Sequence, residues 1–451
     1  MLVKVFRSLL FILTLLSTSF SYAQDLGNSP YSQVALGDIL SPAYSHQAGM
    51  GGTGISYSLP FLMNNINPAL LARNRRTILD VGVVGQLKAI EQGNASQNDF
   101  GASVGHIGLA FPIAPKISGA IGINPFSSVS YENNFRQRVT NTTFGGLPTG
   151  EYYADILFRG RGGLTSAFVG FGWDLLGKKN FRPDTLDHRL AVGVKAHYVF
   201  GSLIDENITQ LLVNSNEFPL EIAFFQRTTF SDITFEPGLA YTYRLGKNTR
   251  LHLGAVYSIG KDLSAKRFVS VDQRSNDALI PGRQDTIQDN ESGKVTMPSR
   301  LGLGISFEKI DPRSAISQWV VSADFNLQDW ADFQDFEANT DSLDKNMSMA
   351  FGIQYIPDFA SVRRGFWRRT AYRVGFNYTQ SPLIFEGQRI DDMSVSAGFS
   401  VPFGKSSTLL NFSMAAGQRG TLENNLVREK YIKFYLGVTI NDTWFIKRKY
   451  D

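Results

Sequence analysis

Apolar and polar residues alternate singly along most of the chain. Ile432, Phe434, Leu436, Val438 and Ile440 fall on one face of a segment, and Tyr431, Lys433, Tyr435, Gly437 and Thr439 on the other. That period of two is the mark of a β-strand, whose successive side chains point to opposite faces. The split recurs with Leu190, Val192, Val194, Ala196 and Tyr198, with Leu301, Leu303, Ile305 and Phe307, with Trp319, Val321, Ala323, Phe325 and Leu327, and with Tyr372, Val374, Phe376 and Tyr378. Marking every such segment predicts strands over 77–88, 99–113, 116–131, 162–174, 188–204, 229–246, 249–262, 295–309, 316–329, 345–357, 369–380, 391–402, 406–418 and 428–442. Many are about ten residues or longer, whereas soluble strands average about five or six. A tilted strand crossing a bilayer needs roughly nine to eleven. About fourteen strands, an even number, suit a closed antiparallel barrel.

The connections separate by parity. Those after odd-numbered strands include long ones, near 131–161, 204–229, 262–294 and 329–345. Those after even-numbered strands include Ala114-Pro115, Gly246-Lys247-Asn248 and Gly404-Lys405, although 175–187 and 358–368 are longer. Outer-membrane barrels have short periplasmic turns and longer external loops, so a periplasmic N-terminus places the long connections outside. A soluble β-sandwich also alternates, but its loops need not segregate this way. In the barrel the apolar faces meet lipid, the polar faces meet the lumen, and closure removes the sheet edge.

Before Thr77 the pattern changes. A Gly- and Ser-rich segment containing Gly49-Met50-Gly51-Gly52-Thr53-Gly54 leads into Asn64-Asn65-Ile66-Asn67-Pro68-Ala69-Leu70-Leu71-Ala72. Such a stretch is either a linker or a plug folded into what the strands enclose. Lys4 and Arg7, the apolar run Ser8–Leu16 and the small-residue exit Ser21-Tyr22-Ala23 read as a secretory signal peptide cleaved after Ala23. The expected organisation is a signal peptide at 1–23, a hatch or plug at 24–76 and an outer-membrane barrel at 77–451. No later stretch carries 18 apolar residues in a row, so no transmembrane helix is expected.

The chain has no cysteine, which excludes disulfides, thiolate metal sites and a lipoprotein anchor. The net charge of +4 falls to +2 without Lys4 and Arg7, and gives no case for nucleic acid. His46, His106, His188, His197 and His252 show no ligand spacing, so no metal, cofactor or catalytic residue is assigned. Gly49–Gly54 does not open a helix after a strand, as a phosphate loop would. No G-x-S-x-G elbow occurs. A hydrolase would need a Ser and a His brought together across the wall. The chain is expected not to be an enzyme. The Asp-, Asn- and Ser-rich stretches 262–294 and 329–345 lack a calcium-loop spacing and read as solvated external loops.

The third strand is irregular. It reads Ile121-Gly122-Ile123-Asn124-Pro125-Phe126, and a proline removes a ladder donor. Either the wall is kinked and locally unpaired from Gly122 to Pro125, or the strand ends at Ile123.

Asn67-Pro68-Ala69 between a Gly-rich lead and the first strand, the interrupted third strand and a count near fourteen together resemble the long-chain fatty-acid transporter (FadL/TodX-type) family of outer-membrane proteins. Asn28-Ser29-Pro30-Tyr31-Ser32, Gly160-Arg161-Gly162-Gly163-Leu164, Tyr198-Val199-Phe200-Gly201-Ser202, Met297-Pro298-Ser299-Arg300-Leu301-Gly302 and Arg373-Val374-Gly375-Phe376-Asn377-Tyr378 look like its divergent Bacteroidetes branch. The resemblance implies a 14-stranded barrel with Asn67, Pro68 and Ala69 in the hatch and Gly122, Asn124 and Pro125 at a lateral opening. It implies passive uptake of hydrophobic small molecules such as long-chain fatty acids, without a cofactor, with sideways release into lipid. No ligand-contacting residue carries over. The same fold also resembles barrel partners of type IX secretion machinery, which implies a structural or protein-docking subunit instead. Leu211-Leu212-Val213 and the run Phe218–Phe225 suit either a ligand funnel or a protein interface.

Overall fold

A computed structural model describes residues 26–141, 150–176, 188–212, 220–275, 277–337, 343–361, 365–403 and 408–442. The leader read at 1–23 lies outside them, as do Val213, Phe218 and the C-terminal Trp444 and Phe445. Fourteen antiparallel strands form one closed barrel. They are β1 (Thr77–Gln92), β2 (Ala95–Ala114), β3 (Ile117–Asn141), β4 (Gly150–Asp174), β5 (His188–Leu212), β6 (Leu220–Arg244) and β7 (Thr249–Ser258, resuming as Lys261–Ser275). The circuit continues with β8 (Ala278–Met297, resuming as Arg300–Asp311), β9 (Ile316–Asp329), β10 (Lys345–Tyr355), β11 (Ala371–Phe385), β12 (Gln388–Pro402), β13 (Leu409–Gly420) and β14 (Arg428–Asp442). β14 pairs with β1 without a register shift from Arg428–Glu91 to Asp442–Thr77, which closes the ring.

The order matches the alternation, but the strands are longer on one side. β3, β4, β5 and β6 each span 25 residues, an extended length of about 80 Å against a hydrocarbon core of about 30 Å. Much of 131–161, 204–229 and 262–294, read above as loops, is therefore strand that continues beyond the membrane. The period-two rule missed it because the inward face there buries charged residues, Glu206, Arg267, Asp272 and Arg274 among them, and part of the extension meets water on both faces. In β8, residues from Ala278 to Glu291 are nearly all exposed.

Across the membrane the faces divide as the alternation requires. Leu303, Ile305, Val321, Phe351, Val374, Val395 and Leu436 point outward and are exposed, an apolar band that water would not tolerate at this extent. Val320, Ser322, Asp324, Arg373, Asn411, Ser413 and Thr439 point inward and are buried. They are buried because residues 26–76 fold inside the barrel. A turn of α-helix (Ser45–Ala48) and a 3-10 turn (Pro68–Arg73) are its main regular elements, with Asn67 and Ala69 fully buried. Lumen-facing glycines make room for it. A Cβ on Gly193 would overlap the backbone of Pro68 and Ala69, and one on Gly254 the carbonyl of Ile55.

Candidate lateral gap and lumen chamber

The inner segment is held by polar residues of the wall. Asn67 caps the 3-10 turn, its Oδ1 accepting from Ala69 N at 2.9 Å while Nδ2 donates to the carbonyls of Ile55 (2.6 Å) and Leu239 (3.0 Å). Pro68 follows at the first helical position, where a missing N–H costs nothing. Asn64 folds the preceding turn, accepting from Ile66 N and Asn67 N at 2.9 Å. Asp324 on β9 accepts from Gly54 N and Ile55 N at 2.7 and 2.9 Å. Arg73 Nη2 reaches His252 Nδ1 at 2.7 Å, so the other imidazole nitrogen carries the proton offered to Glu308, 2.8 Å away.

A buried relay also runs around the wall at this level. Arg373 donates to Ser400, Ser400 to Asn411, Asn411 to Thr439 and Thr439 to Asp80, at 2.5–2.8 Å. Asp80 ends the relay on His106 Nε2 at 2.7 Å, and Tyr44 of the inner segment stacks on that imidazole with centroids 3.7 Å apart. Each link of the relay pairs a donor with an acceptor, while Arg373 Nη2 and the Tyr44 hydroxyl are buried without a hydrogen-bond partner.

The wall parts between β2 and β3. Their ladder runs from Ala114–Ile117 to Ile107–Ile123 and stops. Gly122 forms one of its last pairs, with Gly108; Asn124 and Pro125 pair only on the other side, with Ser166 and Thr165 of β4, and the register slips between Pro125 and Ser127. Asn65 Nδ2 lies 3.4 Å from Asn124 Oδ1 and links the inner segment to this point. Asn67, Pro68 and Ala69 sit elsewhere, against Gly172, Gly193 and Gly238 of β4, β5 and β6. The two sets of residues singled out in the sequence are thus not brought into one site.

Above Ile123 the free edge of β3 is covered from inside by the first described residues. Ser29 N donates to Ser130 O at 2.7 Å, Leu40 N donates to Phe126 O at 2.9 Å, and the two-residue strand Asp38–Ile39 pairs with Ser128 and Ser127. Asn28 bridges the parted strands, its N–H donating to Asp99 of β2 at 2.5 Å and its Oδ1 accepting from Glu132 N of β3 at 3.1 Å. Side chains tie this strap, residues 28–40, to the far side of the interior. Asp38 pairs with Arg419 at 2.6 Å, Ser29 Oγ donates to Glu429 at 2.7 Å, and the Tyr31 hydroxyl bonds the carbonyl of Val427. Sequence reasoning missed the strap because only the fold brings its partners near.

A chamber of about 440 Å³ lies between the inner segment and the outer mouth and reaches the gap at Gly27, Pro125, Ser128 and Ser130. Its wall mixes apolar with polar and charged residues, with Lys88 paired to Glu429 at 3.5 Å and Lys433 over the Tyr431 ring at 4.7 Å. Tyr31, Trp330, Leu343 and Leu383 of its lining belong to an apolar cluster with Leu36 and Phe333.

Ser166 and His197 do meet across the wall, Oγ to Nδ1 at 2.9 Å. Ser166 is only 1% exposed, however, and Glu236 stands 3.8 Å from the imidazole with Lys195 at 2.8 Å and Arg300 at 2.9 Å already on it. A nucleophile needs an open approach, and this cluster reads as a neutralised structural one.

A family model described as BamG matches residues 5–451. The chain belongs to the BamG family. Solved structures extend this BamG-family chain to a wider fold class. A Pseudomonas aeruginosa FadL homologue superposes with a TM-score of 0.53 at 12% identity, over 90% of this chain and 99% of the other. The P. putida toluene transporter TodX gives 0.51 at 16% identity, over 90% and 99%. The CymD monoaromatic hydrocarbon channel gives 0.50 at 17%, over 89% and 98%. No curated protein matches the sequence. At these identities the likeness is one of fold: the BamG-family chain has the barrel fold of the FadL- and TodX-type proteins.

Proposed function

We propose that the barrel is a passive channel that takes hydrophobic small molecules, long-chain fatty acids among them, from outside the cell and releases them sideways into the membrane. The observation that carries this reading is the β2–β3 ladder ending at Ile107–Ile123 beside a chamber that reaches the gap. A ligand leaving there enters lipid without crossing the polar, packed periplasmic half. The three similar structures, a toluene transporter, a hydrocarbon channel and a FadL homologue, support a hydrophobic cargo. On this reading residues 1–23 are the export signal, residues 24–76 form the hatch, and no catalytic step is assigned. Gly122, Asn124 and Pro125 shape the opening, while Asn67, Pro68 and Ala69 seat the hatch.

The test is uptake of oleate and of toluene into proteoliposomes by the native chain and by Pro125→Val, which restores a donor where the strands part. Uptake that falls in the variant is the expected result. Equal uptake by both removes the gap from the mechanism. One observation favours a second reading: the strap covers the gap from inside, as suits a barrel that serves as a docking subunit. Native uptake no faster than in empty liposomes would favour it.

A further inference from the structure

The connections at the two ends of the barrel differ in charge. The seven external connections between strands contain nine Asp and Glu and no Lys or Arg, whereas the six periplasmic turns contain eleven Lys and Arg against three Asp and Glu. The most basic is the turn from β10 to β11, with four arginines between Arg363 and Arg369. Its one acidic residue, Asp358, is engaged by Arg313 of the neighbouring turn at 3.8 Å. Arg368 is exposed and, among the described residues, has no ion pair.

Aromatic rings sit beside this charge. Phe366 and Trp367 are 50% and 59% exposed, and their rings meet at 4.5 Å. They continue the lipid-facing band, since Trp367 O accepts from the hydroxyl of Tyr372, an outward residue of β11. On β9 and β10 the band also ends in aromatics, Trp319 stacked on Tyr355 at 4.2 Å. Amphipathic rings at headgroup level are the usual membrane-interface anchor, and guanidinium groups bind phosphate bidentately. We propose that Phe366, Trp367, Arg368 and Arg369 form a docking site for the phosphate headgroup of an anionic phospholipid in the periplasmic leaflet. The rings insert at the edge of the hydrocarbon and the guanidinium groups hold the phosphate beside them. Continuity with the lipid-facing band favours a lipid over an acidic protein, which would meet the turn from the water.

The full chain in bilayer discs of phosphatidylcholine doped with phosphatidylglycerol tests this, with lipid retained after detergent exchange read by native mass spectrometry. The native chain is expected to enrich phosphatidylglycerol several-fold. R368Q/R369Q should lose that enrichment with the β-sheet circular dichroism unchanged. Arg369 also lies over the Phe359 ring at 5.3 Å, so R368Q alone serves as the milder variant and should lose part of it. Equal retention of the two lipids by the native chain, or full enrichment in both variants, overturns the proposal. Unselective lipid retention together with binding of a polyglutamate peptide would assign the rim to an acidic protein and overturn it as well.

Discussion

The barrel ladder fails in two places, and the two are closed differently. Between β6 and β7 the pairing stops at Phe230–Ala265 and resumes at Gly238–Val256. There the wall mends itself. Asp232 takes Lys261 Nζ at 2.5 Å and both the N–H and hydroxyl of Ser264 at 2.9 Å, while Ile259 N donates to Phe235 O at 3.0 Å. Between β2 and β3 the pairing never resumes above Ile107–Ile123. The edge is covered by residues 28–40, some ninety positions earlier in the chain than the strand they pair with. In hydrocarbon each unmet backbone group costs several kcal/mol, so both breaks need cover. Cover supplied by adjacent side chains cannot leave, whereas a strap can move without unfolding the wall.

The largest expected effect comes from dislodging the strap. Gly37 holds φ of +82°, and a Cβ there would overlap Ser128 O and the Val129 side chain. Gly37→Val therefore adds about 1–2 kcal/mol of left-handed strain to a clash with the strand it covers. We expect a several-fold rise in the rate of toluene uptake into proteoliposomes, with the sheet content unchanged. Unchanged uptake would mean that the strap does not close the gap.

Loosening the hatch should be costly without opening the wall. Asn67→Ala removes a cap and leaves the buried carbonyls of Ile55 and Leu239 without this donor, a loss of roughly 2–4 kcal/mol. Faster protease cleavage within residues 41–73, with the barrel intact, is the readout. Asp232→Ala should cost less, about 1–2 kcal/mol for a partly exposed charged cluster. It should leave toluene uptake at the native level, because the break it weakens is bounded by ladder above and below. A rise in that variant as large as in Gly37→Val would erase the distinction between the two breaks.

The smallest effect expected is one of pH. Burial holds the His46 imidazole well below its usual range, with the Arg373 charge adding to the shift. A base with a depressed folded pKa binds fewer protons folded than unfolded, so stability rises with pH up to the unfolded value of about 6.5 and falls below it. Protection of the hatch from proteolysis should therefore weaken as pH drops from 7 to 5. His46→Gln should flatten that dependence.

Strand number, order and facing were legible in the sequence, because a one-sided environment forces a period of two and each strand needs only its own residues to show it. Pro125 marked the place where pairing with β2 ends, since a missing N–H is a local fact. The strand extensions from residues 131, 204 and 262 were not legible, because buried charges such as Glu206, Arg267 and Asp272 on the inward face blur the apolar-polar period. The strap, the Asp38–Arg419 pair and the relay from Arg373 to His106 were not legible either. Their partners stand as far as 400 positions apart in the chain, and alternation says only that a side chain faces inward. The sequence determined a wall and which way each residue on it looks. The tertiary structure alone decided what fills that wall and what covers its break, because those contacts exist only after the ring has closed.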